Sequence, residues 1–123
     1  MHVQTLDESP RHHRGGQVSH LLLTKGQFGA QHLSVTWVEG QPGSQQELHA
    51  HSSQEQVFVI VRGRGLMLMD QEEQEVTPGS LVFIPPGAVH AIRNIGTEPL
   101  IYVSATVPSF DEDLARTVWM EAR

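Results

Sequence analysis

Glycine and proline interrupt this chain at short intervals, and this spacing limits the folds that it can adopt. Most of the eleven Gly and seven Pro cluster where chain reversal needs a positive or a fixed φ. Between these clusters lie runs rich in β-branched and aromatic residues. The candidate strands are residues 19–25, 32–38, 57–61, 66–69, 72–76, 81–84, 89–95 and 100–107. One strand in about every 8 to 12 residues predicts an all-β sandwich or barrel.

Two of these runs show how the strands are buried. Leu33, Val35 and Trp37 alternate with Ser34 and Thr36, the pattern of a strand with one buried face. Residues 57–61 are apolar at every position, which predicts a central strand that lies between two layers.

The length of 123 residues predicts a single domain with flanking segments. Residues 1–16 lack any periodicity and are interpreted as a flexible N-terminal arm or as an edge that docks on a partner chain, and residues 17–108 as the β domain. Residues 109–123 are predicted to form a short helical tail, since Ser109 can cap a helix whose first turn carries three acidic residues.

Composition excludes several function classes. Fourteen acidic against eight basic side chains give a net charge of -6, which argues against nucleic-acid binding. The absence of cysteine excludes disulfides and thiolate metal ligands, so that any metal must use nitrogen and oxygen ligands. No apolar run is long enough to span a membrane. We therefore expect a soluble, cytoplasmic protein.

Three of the eight histidines have a spacing that suggests a metal site. His49 and His51 are two residues apart, so both imidazoles lie on one face if the segment is extended. His90 begins another predicted strand, directly after a turn at residues 85–87. Imidazole nitrogens with an oxygen ligand hold a divalent ion, and a catalytic site keeps an open position for substrate.

Two segments resemble the motifs of the cupin family. Residues 43–63 resemble the first, G-x5-H-x-H-x(3,4)-E-x6-G, and residues 79–94 match the second, G-x5-P-x-G-x2-H-x3-N, with fifteen residues between them. The resemblance implies a cupin jelly-roll β-barrel of two antiparallel sheets, here with a short C-terminal helix. It also implies a small single-domain, metal-binding monocupin.

The chain departs from the first motif at the glutamate. A three-residue gap after His51 places Glu55 at that position, whereas a four-residue gap places Gln56 there and keeps the spacing to Gly63. Adjacent strand residues face opposite sides, so only one of the two can reach the metal, and we favour Gln56. The set His49, His51, Gln56 and His90 is similar to that of small cupins that linearise unsaturated uronates.

A neutral glutamine ligand has a chemical consequence. It leaves the site charge at +2, which favours polarisation of a carbonyl or hydroxyl oxygen. We therefore expect a metalloenzyme that isomerises or tautomerises a small oxygen-rich substrate, an anionic sugar derivative or an organic acid. The metal is one divalent ion among Zn, Ni, Fe, Mn and Cu. The alternatives are a mononuclear metal dioxygenase and a non-catalytic cupin that binds or senses a small ligand.

Further residues are assigned by position along the strands. Phe58 and Ile60 share a face with Gln56, and Ile92 shares one with His90, so these three are candidates for the substrate pocket. Glu47, two residues before His49, is a candidate proton shuttle. The resemblance implies a homodimer, and unpaired strand edges give an independent reason for one.

Overall fold

The computed structural model describes residues 1–109 and 117–119, and it confirms the all-β prediction. Within these residues the chain forms eleven strands and a single short 3-10 turn, and no helix is long and apolar enough to cross a bilayer. The strands are β1 (Arg11–Arg14), β2 (Gln17–Leu23), β3 (Ser34–Gly40), β4 (His49–His51), β5 (Glu55–Arg62), β6 (Gly65–Met69), β7 (Glu72–Val76), β8 (Leu81–Ile84), β9 (His90–Asn94), β10 (Leu100–Val107) and β11 (Thr117–Trp119).

The strands form two antiparallel sheets, as predicted. Sheet A has the order β1-β2-β3-β10-β5-β8, and sheet B has the order β11-β4-β9-β6-β7. The inner faces of the two sheets enclose the core, which is built from apolar side chains of both. The core residues are Val38, Phe58, Ile60, Met67, Val76, Ile84, Ala88, Ile92, Leu100 and Tyr102.

Strand β3 turns its polar residues inward. Ser34 and Thr36 are buried on the inner face, whereas Val35 and Trp37 are half-buried on the outer face. The alternation predicted a strand with one buried face, and the structure places the hydroxyl-bearing residues on that face. Part of the interior near β3 is therefore polar.

Strand β5 differs from its prediction. It lies inside sheet A, between β10 and β8, and buries Phe58 and Ile60 on its inner face. Val59 and Val61 point outward and are exposed, because no second layer covers the outer face there within the part of the chain that the structure describes. Among the described residues, the run 57–61 is thus covered on one face only.

The N-terminal segment contains more structure than predicted. Residues 11–14, within the predicted flexible arm 1–16, form β1 and pair with β2 through a two-residue turn at Gly15 and Gly16. Gly15 has a φ of 58°, in the left-handed region that such hairpin turns require. The glycine pair therefore forms a hairpin turn.

The predicted helical tail, residues 109–123, lies mostly outside the described residues, which omit 110–116 and 120–123. Residues 117–119, where helix was predicted, form the strand β11 instead. β11 pairs with the free edge of β4, whose backbone groups would otherwise lack partners on that side.

Candidate metal centre

Three histidines from two neighbouring strands converge inside the barrel. His49 on β4 lies directly opposite His90 on β9, and His51 follows on the same face of β4. All three are buried, and one ring nitrogen from each lies within 4.8 Å of the others. The convergence predicted from the spacing is confirmed, and the three imidazoles are arranged as they would be to hold a metal ion.

Backbone carbonyls orient two of these rings. The Nδ1 atom of His49 lies 2.7 Å from the carbonyl oxygen of Glu47, and the Nδ1 atom of His90 lies 2.9 Å from that of Ala88. A carbonyl oxygen can only accept, so Nδ1 must carry the proton in both rings. Each neutral ring therefore keeps its lone pair on Nε2, where a metal can bind it.

The surroundings keep these imidazoles neutral. Burial, with the neighbouring His90 as a smaller cause, lowers the pKa of His49 to about 3, and the hydrogen bond to Glu47 only partly offsets this. Burial likewise lowers the pKa of His90. Because metals bind the neutral form of histidine, the site needs little or no proton release to accept an ion at neutral pH.

The glutamine at the ambiguous motif position lies on the inner face of sheet A. Gln56 is buried, and its Nε2 donates to Ser104 Oγ at 2.8 Å. This bond fixes the amide so that Oε1 is left as the acceptor, and Oε1 has no hydrogen-bond partner among the described residues. Glu55 is exposed on the opposite face of β5. Ligation by Gln56 remains a prediction, and its burial agrees with it.

The available donors fit a divalent ion. Within the described part of the chain, His90 Nε2 and Gln56 Oε1 are both buried without a hydrogen-bond partner. Such groups are costly unless something else satisfies them. Three imidazole nitrogens and one amide oxygen suit zinc, nickel, iron, manganese or copper, and they leave coordination positions open.

Of the three predicted pocket residues, Phe58 lies beside the histidine cluster, whereas the other two are known only as core residues. Phe58 lies edge-on to His90, with their ring centroids 6.1 Å apart, and it packs against Tyr102. Ile60 and Ile92 are buried members of the core. Phe58 is thus a wall of the histidine cluster, whereas contact of Ile60 and Ile92 with a substrate remains a prediction.

Glu47 lies at the margin of the centre. Its carboxylate pairs with Arg14 of β1 at 2.7 Å, and its carbonyl oxygen holds His49. The sequence did not suggest the Arg14 contact, because these two residues are far apart along the chain. The proton-shuttle role remains a prediction for a carboxylate that already has a cationic partner.

The structure also contains a cavity that the sequence did not indicate. It has a volume of about 720 Å³ and opens between β7 and β8, the free edges of the two sheets. No histidine is among the described residues that line it. Met69, which is paired with His90, and Val82, which is paired with Phe58, bring the cavity wall next to the metal centre. The lining residues are Met67, Met69, Glu72, Glu73, Gln74, Val76, Ser80, Leu81, Val82 and Phe83.

The chain has relatives among known proteins. It is 39% identical over 71 residues to an uncharacterised protein of Methanocaldococcus jannaschii, covering 58% of this chain and 57% of that protein. It is 34% identical over 61 residues to a glucose-6-phosphate isomerase of Pyrococcus furiosus, covering 46% of this chain and 32% of that enzyme. The matched part therefore spans little more than half of the first relative and about a third of the second.

A solved structure shows the same fold. KdgF from Halomonas sp. superimposes with a TM-score of 0.78 over 91% of this chain and 97% of that chain, at 15% identity. This similarity confirms the jelly-roll architecture. The family model for the cupin domain matches residues 36–106, more than half of the sequence and with all three histidines inside it, so the chain belongs to the cupin family.

Proposed function

We propose that this cupin is a metalloenzyme that isomerises or tautomerises a small hydroxy-carbonyl compound. The ion would be held by His49, His51, His90 and Gln56. The observation that carries the proposal is the pair of buried, pre-oriented acceptors, His90 Nε2 and Gln56 Oε1, in the described interior. A divalent ion bound there supplies Lewis-acid polarisation of a carbonyl or hydroxyl oxygen.

The residues around the centre contribute orientation and exclusion of water. The carbonyl oxygens of Glu47 and Ala88 hold two rings, and Ser104 holds the amide of Gln56. Phe58 covers one side of His90 and lowers the local polarity, which strengthens electrostatic interactions with a bound oxygen. Neutral ligands at these positions would leave the full charge of a bound ion available to a substrate.

Metal binding is the first test of this proposal. We expect protein purified without a metal-affinity column to bind one divalent ion per chain, measured by elemental analysis and by calorimetric titration. His90→Ala should weaken binding at least about a hundredfold, the order of effect known for groups around metal centres. His32→Ala removes an exposed histidine and should leave binding unchanged. Equal binding by all three proteins would contradict the proposed site.

Proton exchange tests the proposed reaction separately. The metal-loaded protein should exchange the hydrogen next to the carbonyl of a hydroxy-carbonyl compound for deuterium in heavy water, followed by NMR. Metal binding without exchange across a panel of such compounds would instead favour a non-catalytic binding protein. Oxygen consumption with the same panel would favour a dioxygenase.

A further inference from the structure

The metal centre and the cavity share one row of side chains. On the inner face of sheet B, His49 lies opposite His90, His90 opposite Met69, and Met69 opposite Glu72. Directly paired residues on antiparallel strands project to the same face of a sheet. Glu72 therefore lies two strands away from His90 on the same inner face. Twice the usual strand spacing places the two residues about 10 Å apart.

The charged side chains among the described residues that line the cavity are acidic. Among the described residues that line it, the only charged ones are Glu72 and Glu73, and none is a lysine or an arginine. The remaining walls are mainly thioether and hydrocarbon groups, among them Met67, Met69 and Val82. An ionised carboxylate can accept hydrogen bonds but cannot donate them, so it binds hydroxyl and ammonium groups and repels anions.

We infer that Glu72 is a specificity-determining residue that selects a substrate whose end distal to the histidines is an uncharged hydroxyl or an ammonium group. This inference rests on the proposed function and narrows its substrate class. A carbonyl or carboxylate oxygen of the substrate lies at the histidines, and its chain passes over Met69. Its distal end donates a hydrogen bond to the Glu72 carboxylate.

The same geometry disfavours substrates with a distal phosphate or carboxylate. Such a group would lie beside Glu72 and Glu73 with no cationic side chain in the described lining to offset the repulsion. One curated relative is a glucose-6-phosphate isomerase. The cavity of this chain is therefore suited to a carbonyl or carboxylate compound whose distal end is a hydroxyl or an ammonium group, and not to a phosphorylated sugar.

The test uses three chelating probes that differ only at the distal end. These are 4-hydroxybutanohydroxamic acid, 4-aminobutanohydroxamic acid and succinic monohydroxamic acid, titrated calorimetrically into the full-length, zinc-loaded protein. We expect the probe with the distal carboxylate to bind about tenfold more weakly than the hydroxyl probe, and the ammonium probe to bind at least as tightly. Equal affinities, or tightest binding of the carboxylate probe, would overturn the inference.

Matched variants of β7 assign the effect to one side chain. Glu72→Gln should reduce the discrimination against the carboxylate probe to about threefold or less, since the repelling charge is gone. Glu75→Gln makes the same charge change on the same strand but on the opposite face, where Glu75 pairs with Arg64. It should keep the wild-type preference. Unchanged discrimination in Glu72→Gln, or its loss in Glu75→Gln, would contradict the assignment.

The design separates the inference from the proposed function. A protein that binds no zinc in a preliminary titration overturns both. A zinc-loaded protein that binds the three probes without discrimination overturns the specificity role of Glu72 and leaves the metal centre intact.

Discussion

At the scale of single residues, the site depends on how hydrogen bonds orient the predicted metal ligands. The carbonyls of Glu47 and Ala88 bind the Nδ1 protons of His49 and His90, so the opposite nitrogens remain as acceptors. Ser104 Oγ accepts a hydrogen bond from Nε2 of Gln56, so Oε1 of that amide remains as an acceptor. Three of the four predicted ligands, His49, His90 and Gln56, are therefore already oriented by hydrogen bonds, which lowers the entropic cost of binding a metal.

Changing the charge of Gln56 or of Glu55 tests which of these two residues is the fourth metal ligand. Gln56→Glu would place a carboxylate beside the ion, so metal affinity should rise about tenfold or more in calorimetric competition with a chelator. Glu55→Gln, the neighbouring change on the exposed face, should alter affinity by less than about twofold. If Glu55→Gln weakens metal binding and Gln56→Glu leaves it unchanged, Glu55 is the ligand.

Two turn glycines differ in the space around them. Gly63 and Gly79 both have positive φ, 88° and 92°. A Cβ on Gly63 would lie 2.7 Å from the carbonyl oxygen of Pro99, whereas one on Gly79 would meet nothing within 4 Å. We expect Gly79→Ala to lower the free energy of unfolding by about 1 kcal/mol from backbone strain, and Gly63→Ala by about 2–4 kcal/mol. Urea denaturation measures both, and equal losses would contradict the steric argument.

At the scale of elements, one side chain fastens several turns at the end of the barrel. Asn94, the last residue of β9, donates from Nδ2 to the carbonyl oxygens of Gly40 and Glu98 at 3.0 and 2.8 Å. Its Oδ1 accepts from the backbone of Gly96 at 2.9 Å. The asparagine of the second motif therefore joins β9 to the end of β3 and to the loop before β10.

Removing this side chain should destabilise the whole barrel. Asn94→Ala breaks three hydrogen bonds and leaves the Gly40 carbonyl without this donor, so we expect a loss of about 2–4 kcal/mol in unfolding free energy. Gln74→Ala, a truncation at an exposed strand position, should cost less than about 0.5 kcal/mol. The comparison is made by urea denaturation, and similar losses in both variants would show that Asn94 has no special structural role.

At the scale of the whole molecule, the outer face of sheet A carries exposed apolar side chains. Leu81 is 62% exposed and Phe83 50% exposed, and both lie on β8 beside the outward-facing Val59 and Val61 of β5. An apolar surface of this kind is typical of an interaction site. The uninterrupted apolar run at 57–61 is the pattern of a strand covered on both faces, and the described residues cover only one of them.

The homodimer therefore remains a prediction, and this face is where we expect it. Phe83→Ser should shift the protein towards the monomer in analytical ultracentrifugation, because burying a phenylalanine contributes about 2 kcal/mol per copy. Val3→Ser removes an exposed apolar side chain elsewhere and should leave the oligomeric state unchanged. A wild-type protein that sediments as a monomer would contradict the prediction.

The sequence by itself determined most of the strands and the identity of the histidines. Glycine and proline set the turns through their local φ preferences, and the spacing of His49, His51 and His90 along the chain identified the cluster. The local pattern did not decide which side of β3 faces inward, because a period of two fits either face until the partner strands are known. It also did not reveal the Gly15–Gly16 turn, which depends on the pairing of β1 with β2.

Only the tertiary structure decided which residues from distant strands meet. The burial of Gln56 and the exposure of Glu55 follow from how β5 pairs with β8 and β10. The position of Glu72 on the row of His90 follows from the pairing of β6 with both β9 and β7. Strand pairing is non-local, so the contacts that form the site cannot be read from the spacing of residues along one strand.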